Sequence, residues 1–343
     1  MNIPKHEPRL IALDWGTSSL RAYLLGPSAA ILAENSLPAG IMQLTGFRTD
    51  LGRVFEKAFE QACGSWLGVT PSLPILASGM VGSAQGWCEA PYLSVPVDMF
   101  EVGNHLTQLK TSTGKLIHIV PGLIRRGELV NVMRGEETQI LGALIACGSA
   151  PDLRKLFIGL PGTHSKWTRV SGTSVEDFET FMTGEVYAAL CEHTILGRTM
   201  KPSSLFHEEA FDRGVRIAQS AAGQRGVLSN IFSVRTFALT DGLTPEEQAD
   251  YLSGLIIGHE INTLPALHEP RHASSTEPLP ILLIGQPSLC MRYQRALELN
   301  SYKKVIVIAD ATIRGLWQIA VQAGLIAEKK ASSIVQVEGP GLC

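Results

Sequence analysis

The chain has 343 residues, 45% of them hydrophobic, and at roughly 150 residues per domain this length points to two globular domains. Its 29 Lys and Arg against 32 Asp and Glu give a formal charge of −3, with no basic surplus to neutralise a run of phosphates, so a nucleic-acid partner is excluded on charge. The opening MNIPKHEPRL lacks a signal core and no apolar run nears the ~20 residues of a membrane span, so a cytoplasmic protein with no membrane partner is expected.

In chain order, the apolar runs Leu10–Leu13 and Leu20–Leu25 predict two strands joined by the polar turn Asp14–Ser19, a hairpin. Phe47, Leu51, Val54, Phe55, Ala58, Phe59 and Ala62 recur at helical spacing and predict a helix over Leu44–Gly64. Strands are expected at Ile75–Ala77 and Leu116–Val120, and a helix from about Gly135 to Cys147 with Glu136 and Glu137 in its first turn. Gly148-Ser149-Ala150-Pro151 breaks that helix and is the candidate domain boundary. The second half repeats the pattern: strand Leu156–Leu160, polar turn Gly162–Ser165, strand Lys166–Val170. Helices are expected near Gly184–Leu196 and Glu208–Ser220, and from Thr244, whose Thr-Pro-Glu-Glu reads as a capping box. Strands Leu279–Ile284 and Val305–Ala309 each precede a helix, Ser288–Asn300 and Ala311–Ala323, the latter ended by Gly324. The six cysteines, Cys63, Cys88, Cys147, Cys191, Cys290 and Cys343, show neither C-x-x-C nor zinc spacing and read as reduced thiols.

Ile11–Ser19 can be laid over Ile158–Ser165 with one deletion, sharing a buried strand, Gly-Thr-x-Ser and a second strand. Gly16 and Gly162 stand 146 positions apart (162 − 16), about one domain, which predicts a duplication. A turn of Gly, Thr and Ser offers N–H groups and hydroxyls to phosphate oxygens, and two such turns could grip one nucleotide. Asp14, ending the first strand, reads equally as a Mg²⁺ ligand or as a turn-initiating residue. The P-loop, the Rossmann G-x-G-x-x-G, the zinc-protease helix and the G-x-S-x-G elbow are all missing from the sequence.

The segments ALDWGTSSLRAYL (Ala12–Leu24), SGMVGSAQGW (Ser78–Trp87), APYLSVP (Ala90–Pro96), NVMRGEETQILGA (Asn131–Ala143), LPGTHSKW (Leu160–Trp167), DFETFMTGE (Asp177–Glu185), YLSGLIIGHE (Tyr251–Glu260) and IGQPSLCMRYQ (Ile284–Gln294) carry a more specific likeness. Over residues 8 to 325 the chain resembles the 2-dehydro-3-deoxygalactonokinases, sugar-acid kinases of the actin/Hsp70/sugar-kinase superfamily. The resemblance implies an α/β fold of two duplicated RNase-H-like (actin-like ATPase) domains flanking a nucleotide cleft, over residues 1–148 and 149–325, with 326–343 a tail of no assigned role. It implies ATP and Mg²⁺ as cofactors and transfer of phosphate to the 6-hydroxyl of 2-dehydro-3-deoxy-D-galactonate. Alternatives are a kinase of another small sugar acid, such as the gluconate epimer, and a non-kinase ATP-binding module of the chaperone or filament type. Oligomeric state stays open, a homodimer included.

By the same resemblance Asp14, Gly16, Thr17, Ser18, Ser19 and Arg21 form the first phosphate motif, with Asp14 at the metal. Gly162, Thr163, His164 and Lys166 form the second, and Gly285 and Gln286 the adenosine motif. Pro161 stands where many superfamily members carry an acidic residue, which throws more of the metal role on Asp14. Glu136, in Arg134-Gly135-Glu136-Glu137-Thr138-Gln139, resembles the general base of related kinases, with Glu137 the runner-up; adjacent helical residues point about 100° apart, so only one can face the site. Ser83, Gln85 and Glu89 are candidates for the sugar hydroxyls. Trp87 is a candidate for a sugar face, or else a core residue. Arg134 is the candidate for the substrate carboxylate, with Arg125 and Arg126 behind it.

Overall fold

The computed structural model describes residues 7–45, 50–148, 155–268 and 279–327. Its first strands are β1 (Leu10–Trp15), β2 (Leu20–Leu25), β3 (Ile31–Leu37), β4 (Ile75–Gly79), β5 (Tyr92–Ser94), β6 (Val97–Asp98), β7 (Thr107–Lys110) and β8 (Leu116–Ile119). The next are β9 (Gly122–Arg125), β10 (Asn131–Met133), β11 (Lys155–Leu160), β12 (Ser165–Ser171), β13 (Ser174–Phe181), β14 (Ile281–Ile284) and β15 (Val305–Ile308). Among the described residues they form sheets ordered β3-β2-β1-β4-β8-β7, β10-β9-β5 and β15-β14-β11-β12-β13-β6.

The two large sheets share one plan. β1 runs antiparallel to β2, β2 antiparallel to β3, β1 parallel to β4 and β4 parallel to β8. β11, β12, β13, β14 and β15 repeat those relations in the same order. Each sheet then gains one edge strand of its own, β7 or β6. This is the duplicated RNase-H-like architecture that the repeated strand–turn–strand segment announces.

The chain packs into two compact units, and they divide it differently from the expected 1–148 and 149–325. Unit 1 takes the described residues up to Glu89, then 102–120 and those from Leu316 on; unit 2 takes 90–101 and 121–315. Pairing decides this. β6 adds to β13, and the Glu136–Cys147 helix packs beside β14 and against Ala311–Gly315. Of the expected boundary, residues 149–151 lie outside the described residues, as do the tail from residue 328 on and Cys343.

In unit 1, β1 is apolar and buried on both faces but for the half-buried Asp14, as suits a strand inside a covered sheet. Its Trp15 joins Phe55, Phe59 and Trp87 in an aromatic cluster with centroids 5.4 to 6.1 Å apart. Phe55, Ala58, Phe59 and Ala62 line the buried stripe of the Leu51–Val69 helix, as their spacing predicts. That helix starts at Leu51 rather than Leu44; Phe47 falls outside the described residues, and Ile41–Leu44 is a separate short turn of helix. In unit 2, Phe157, Trp167, Phe211, Ile257, Leu283 and Tyr293 centre the core. The Gln248–Ile261 helix begins four residues past Thr244: the Thr244 N–H reaches Glu247 Oε2 at 2.8 Å, half of the expected capping box, but Glu247 itself occupies the N-cap.

Candidate active site

Unit 2 builds a carboxylate pair at one chain reversal. β10 ends at Met133, Gly135 adopts φ +104°, and the helix starts at Glu136. That dihedral favours glycine, so Gly135 is what lets the chain turn so abruptly from strand to helix. Both side chains curl back onto the reversal: the Arg134 N–H donates to Glu136 Oε2 at 2.9 Å, and the Gly135 N–H to Glu137 Oε2 at 2.6 Å. Glu137 is wholly buried and takes a further bond from Thr138 Oγ1, whereas a quarter of the Glu136 side chain stays exposed. Burial pushes the Glu136 carboxyl above its usual range, and the Lys166 ammonium offsets part of that rise. Burial, with Glu136 beside it, pushes Glu137 up to about 8. Of the two, Glu136 is the one open to a ligand.

The helix that carries them is held at close quarters. A Cβ on Gly142 would lie 1.8 Å from the Ala311 carbonyl oxygen, and one on Gly315 1.9 Å from that of Thr138. The helices Glu136–Cys147 and Ala311–Gln322 thus cross backbone on backbone, and Gln139 Nε2 donates to Thr312 Oγ1 at 3.2 Å beside the crossing.

The two Gly-Thr-x-Ser turns are built alike. In unit 1 the Gly16 N–H closes the turn on Ser19, and the Ile41 and Met42 N–H groups donate to the carbonyls of Gly16 and Thr17. In unit 2 the Glu185 N–H donates to the Thr163 carbonyl. Each turn is abutted by a glycine from the start of the following helix: a Cβ on Gly40 would meet Thr17 O at 2.3 Å, and one on Gly184 would meet Gly162 O at 2.4 Å. With these carbonyls occupied, each turn is left with N–H groups and hydroxyls to offer. Thr17, Ser18, Thr163 and His164 are exposed. His164 Nε2 lies 2.5 Å from Glu185 Oε2.

Asp14 lies one residue before the end of β1, half-buried, 3.9 Å from Arg21 Nη1. Burial raises its pKa and Arg21 opposes the rise. No group of three or more His, Cys, Asp or Glu that could hold a metal ion occurs among the described residues. A lone carboxylate fits Mg²⁺, which keeps waters and takes ligand phosphates for the rest of its shell.

Lys166, buried on β12 just past the second turn, places its Nζ 3.8 Å from Glu136 Oε1. The turn is anchored from behind by Glu260, which the sequence reading passed over. This buried carboxylate accepts from Trp167 Nε1 at 2.6 Å, from Tyr293 OH at 2.8 Å and from Thr183 Oγ1, while Ser165 Oγ bonds Tyr293 OH. A cavity of about 210 Å³ opens beside Gly162 and Gly184, lined also by Tyr187, Ile256, Leu289 and Arg292. A Cβ on Gly285 would lie 3.1 Å from the Pro161 carbonyl oxygen, so the expected adenosine motif adjoins the second turn; Gln286 is exposed at the N-cap of the Pro287–Leu299 helix.

The substrate candidates separate. Trp87 packs on Phe55, Phe59 and Trp15, which gives it the contacts of a core aromatic rather than of a free sugar platform. Ser83 is buried with its hydroxyl unpartnered; Gln85 and Glu89 are exposed. Arg125 is paired with Asp177 at 3.0 Å and Glu179 at 2.7 Å, which removes it as a carboxylate binder; Arg126 is exposed. Arg134 is buried, lies 4.3 Å over the Tyr92 ring and donates to the Ala90 carbonyl at 2.7 Å, yet its Nε and Nη1 have no partner.

A sequence profile of the family described as 2-keto-3-deoxy-galactonokinase matches residues 14–319. The Rhizobium meliloti (strain 1021) protein named Probable 2-dehydro-3-deoxygalactonokinase DgoK1 is 34% identical over 315 residues, 91% of this chain and 96% of its own. The Escherichia coli (strain K12) 2-dehydro-3-deoxygalactonokinase is 32% identical over 314 residues, 91% of this chain and 97% of its own. Among solved structures, a Sinorhizobium meliloti protein assigned as a 2-dehydro-3-deoxygalactonokinase superposes with a TM-score of 0.75 at 32% identity, over 91% of this chain and 98% of that one.

Proposed function

This chain belongs to the 2-keto-3-deoxy-galactonokinase family, and on that premise we propose how its residues divide the reaction. The activity is ATP-dependent phosphorylation of 2-dehydro-3-deoxygalactonate, with the 6-hydroxyl as acceptor. The observation that carries the assignment is the pair Glu136 and Lys166, a partly exposed carboxylate 3.8 Å from the ammonium of the strand that leaves the second Gly-Thr-x-Ser turn. Phosphoryl transfer asks for little covalent help from a protein; it needs a base in reach of the acceptor, donors for the phosphates and compensating charge.

Glu136 Oε1 takes the proton of the acceptor hydroxyl. The hydroxyl oxygen forms its bond to the γ-phosphorus as the bond to the β,γ-bridging oxygen breaks, and ADP leaves. The turn Gly162, Thr163, His164 supplies donors to the phosphates, as Gly16, Thr17, Ser18 and Ser19 do in unit 1, with Arg21 adding charge. Mg²⁺ on Asp14, when bound, neutralises phosphate charge. Gly285 and Gln286 border the nucleoside, and the cavity beside Gly162 takes its base, being well under the roughly 300–1,000 Å³ of whole-ligand pockets. Arg134, with two unpartnered nitrogens, holds the substrate carboxylate, and Ser83, Gln85 and Glu89 serve its hydroxyls.

Steady-state kinetics of Glu136→Gln test this division. The variant loses turnover by about 10²- to 10⁴-fold, the contribution of general-base catalysis. Turnover within threefold of wild type removes Glu136 from the role.

A further inference from the structure

We propose that Lys166 is a shared cation, which Glu136 surrenders when a phosphate occupies the Gly162–Ser165 turn, so that the base is released only with nucleotide in place. The inference rests on the reading of that turn as a phosphate site and of Glu136 as the base, and goes beyond both by coupling them.

Three features of unit 2 carry it. Glu136 is the ion-pair partner of Lys166 among the described residues, and the 3.8 Å separation is longer than the roughly 2.7–2.9 Å of a charge-assisted hydrogen bond. The pair is therefore held by charge and not locked by geometry. Lys166 lies in β12 directly after Ser165, so its backbone is fixed by pairing to Leu160 on one side and Thr180 on the other, while its buried ammonium ends a four-carbon stem with several rotatable bonds. Glu136, by contrast, is tethered through its second oxygen to the Arg134 N–H, and stays when the cation leaves. A terminal phosphate brings about two negative charges to the turn against the one of Glu136, and takes the ammonium by Coulomb attraction.

The consequence is chemical. A carboxylate facing an ammonium is a weak base, and losing that neighbour in a buried place raises its proton affinity. The charged or titratable groups facing Glu136 are Lys166, His164 and Glu137. His164 is itself bonded to Glu185, and Glu137, pushed up to about 8, keeps its proton near pH 7. Lys166 is thus the group whose departure switches Glu136. It is a positioning residue that carries the presence of phosphate to the base.

Equilibrium binding of the non-hydrolysable analogue AMPPNP to the full chain tests this by calorimetry, on wild type, Glu136→Gln, Lys166→Met and the double variant. Glu136→Gln frees the ammonium and tightens AMPPNP binding by roughly threefold or more, while Lys166→Met weakens it by about tenfold. The tightening disappears in the Lys166→Met background. Lys166→Arg, which keeps the cation, binds within about threefold of wild type and guards against a folding defect in the methionine variant. In kinetics, Lys166→Met moves the acidic limb of kcat/KM to higher pH. No tightening in Glu136→Gln overturns the proposal. So does equal tightening with and without Lys166, which would be direct repulsion between carboxylate and phosphate. The base assignment fails separately, on unimpaired turnover of Glu136→Gln.

Discussion

Glu137→Gln separates the two adjacent carboxylates. Glu137 is wholly buried, and its pKa is pushed from 4.5 to about 8 by burial and by Glu136. Between those values the folded chain holds a proton that the unfolded chain has lost. The unfolded state then binds fewer protons, so stability falls as pH rises from about 4.5 to about 8. At about 1.36 kcal/mol per pH unit the accumulated cost by pH 8 reaches, as an upper limit, about 5 kcal/mol. Glutamine has the shape of the neutral acid and cannot ionise. Its amide oxygen keeps the Gly135 N–H, and its NH₂ faces Thr138 Oγ1, whose hydroxyl can rotate to accept. Urea unfolding of both chains at pH 5, 6, 7 and 8 reads the difference directly. The variant gains steadily on wild type as pH rises, by several kcal/mol at the top of the range, and its turnover stays within about threefold. Parallel stability curves would refute the reasoning about burial. A turnover loss of 10²-fold or more would move the base role to Glu137.

Two other substitutions test the surroundings of the site. Glu260→Gln keeps an acceptor for the donor-only Trp167 indole and lets two hydroxyls reorient, so it costs about 1–2 kcal/mol in urea unfolding; Glu260→Leu strands three buried donors and costs roughly 3–6 kcal/mol, with a raised KM for ATP. Arg134→Met removes the guanidinium from the sugar-acid carboxylate and raises KM for that substrate by roughly 10- to 100-fold, the worth of a charged hydrogen bond, while KM for ATP stays within threefold.

The parts of the fold written in the sequence are those where burial leaves a pattern. β1, β2 and β11 are apolar enough to read, and the repeated turn before β12 (SKWTRVS) marks that more polar strand. β3 (ILAENSL) and β13 (SVEDFETF) are mostly half-exposed, with polar residues on both faces, and left no periodicity to find; pairing to β2 and β12 makes them strands. The membership of the two units was hidden for a related reason. It depends on β6 meeting β13 across 76 positions (174 − 98), and on Gly142 meeting Gly315, contacts that local pattern does not announce.

The site divides in the same way. Gly135 and the two carboxylates stand at a helix start that the sequence places correctly, whereas the short strand Asn131–Met133 that precedes it is not read from the sequence. Lys166 was legible as a neighbour of the turn, but its partner Glu136 lies 30 positions earlier (166 − 136), so their pairing was not. Glu260 carried a signal of a kind: an acid in the mostly apolar segment LSGLIIGHEI is either exposed or partnered, and only the structure shows Trp167, Thr183 and Tyr293 around it. Gly40 and Gly184 looked like ordinary glycines, since what they touch is backbone brought in by the fold.

The most direct test of the central claim is ³¹P NMR of the product formed by the purified chain from ATP and 2-dehydro-3-deoxygalactonate. A phosphomonoester at the 6-position, appearing in step with ADP and slowed by orders of magnitude in Glu136→Gln, is the expected result. ADP formation that does not depend on any sugar acid would contradict it.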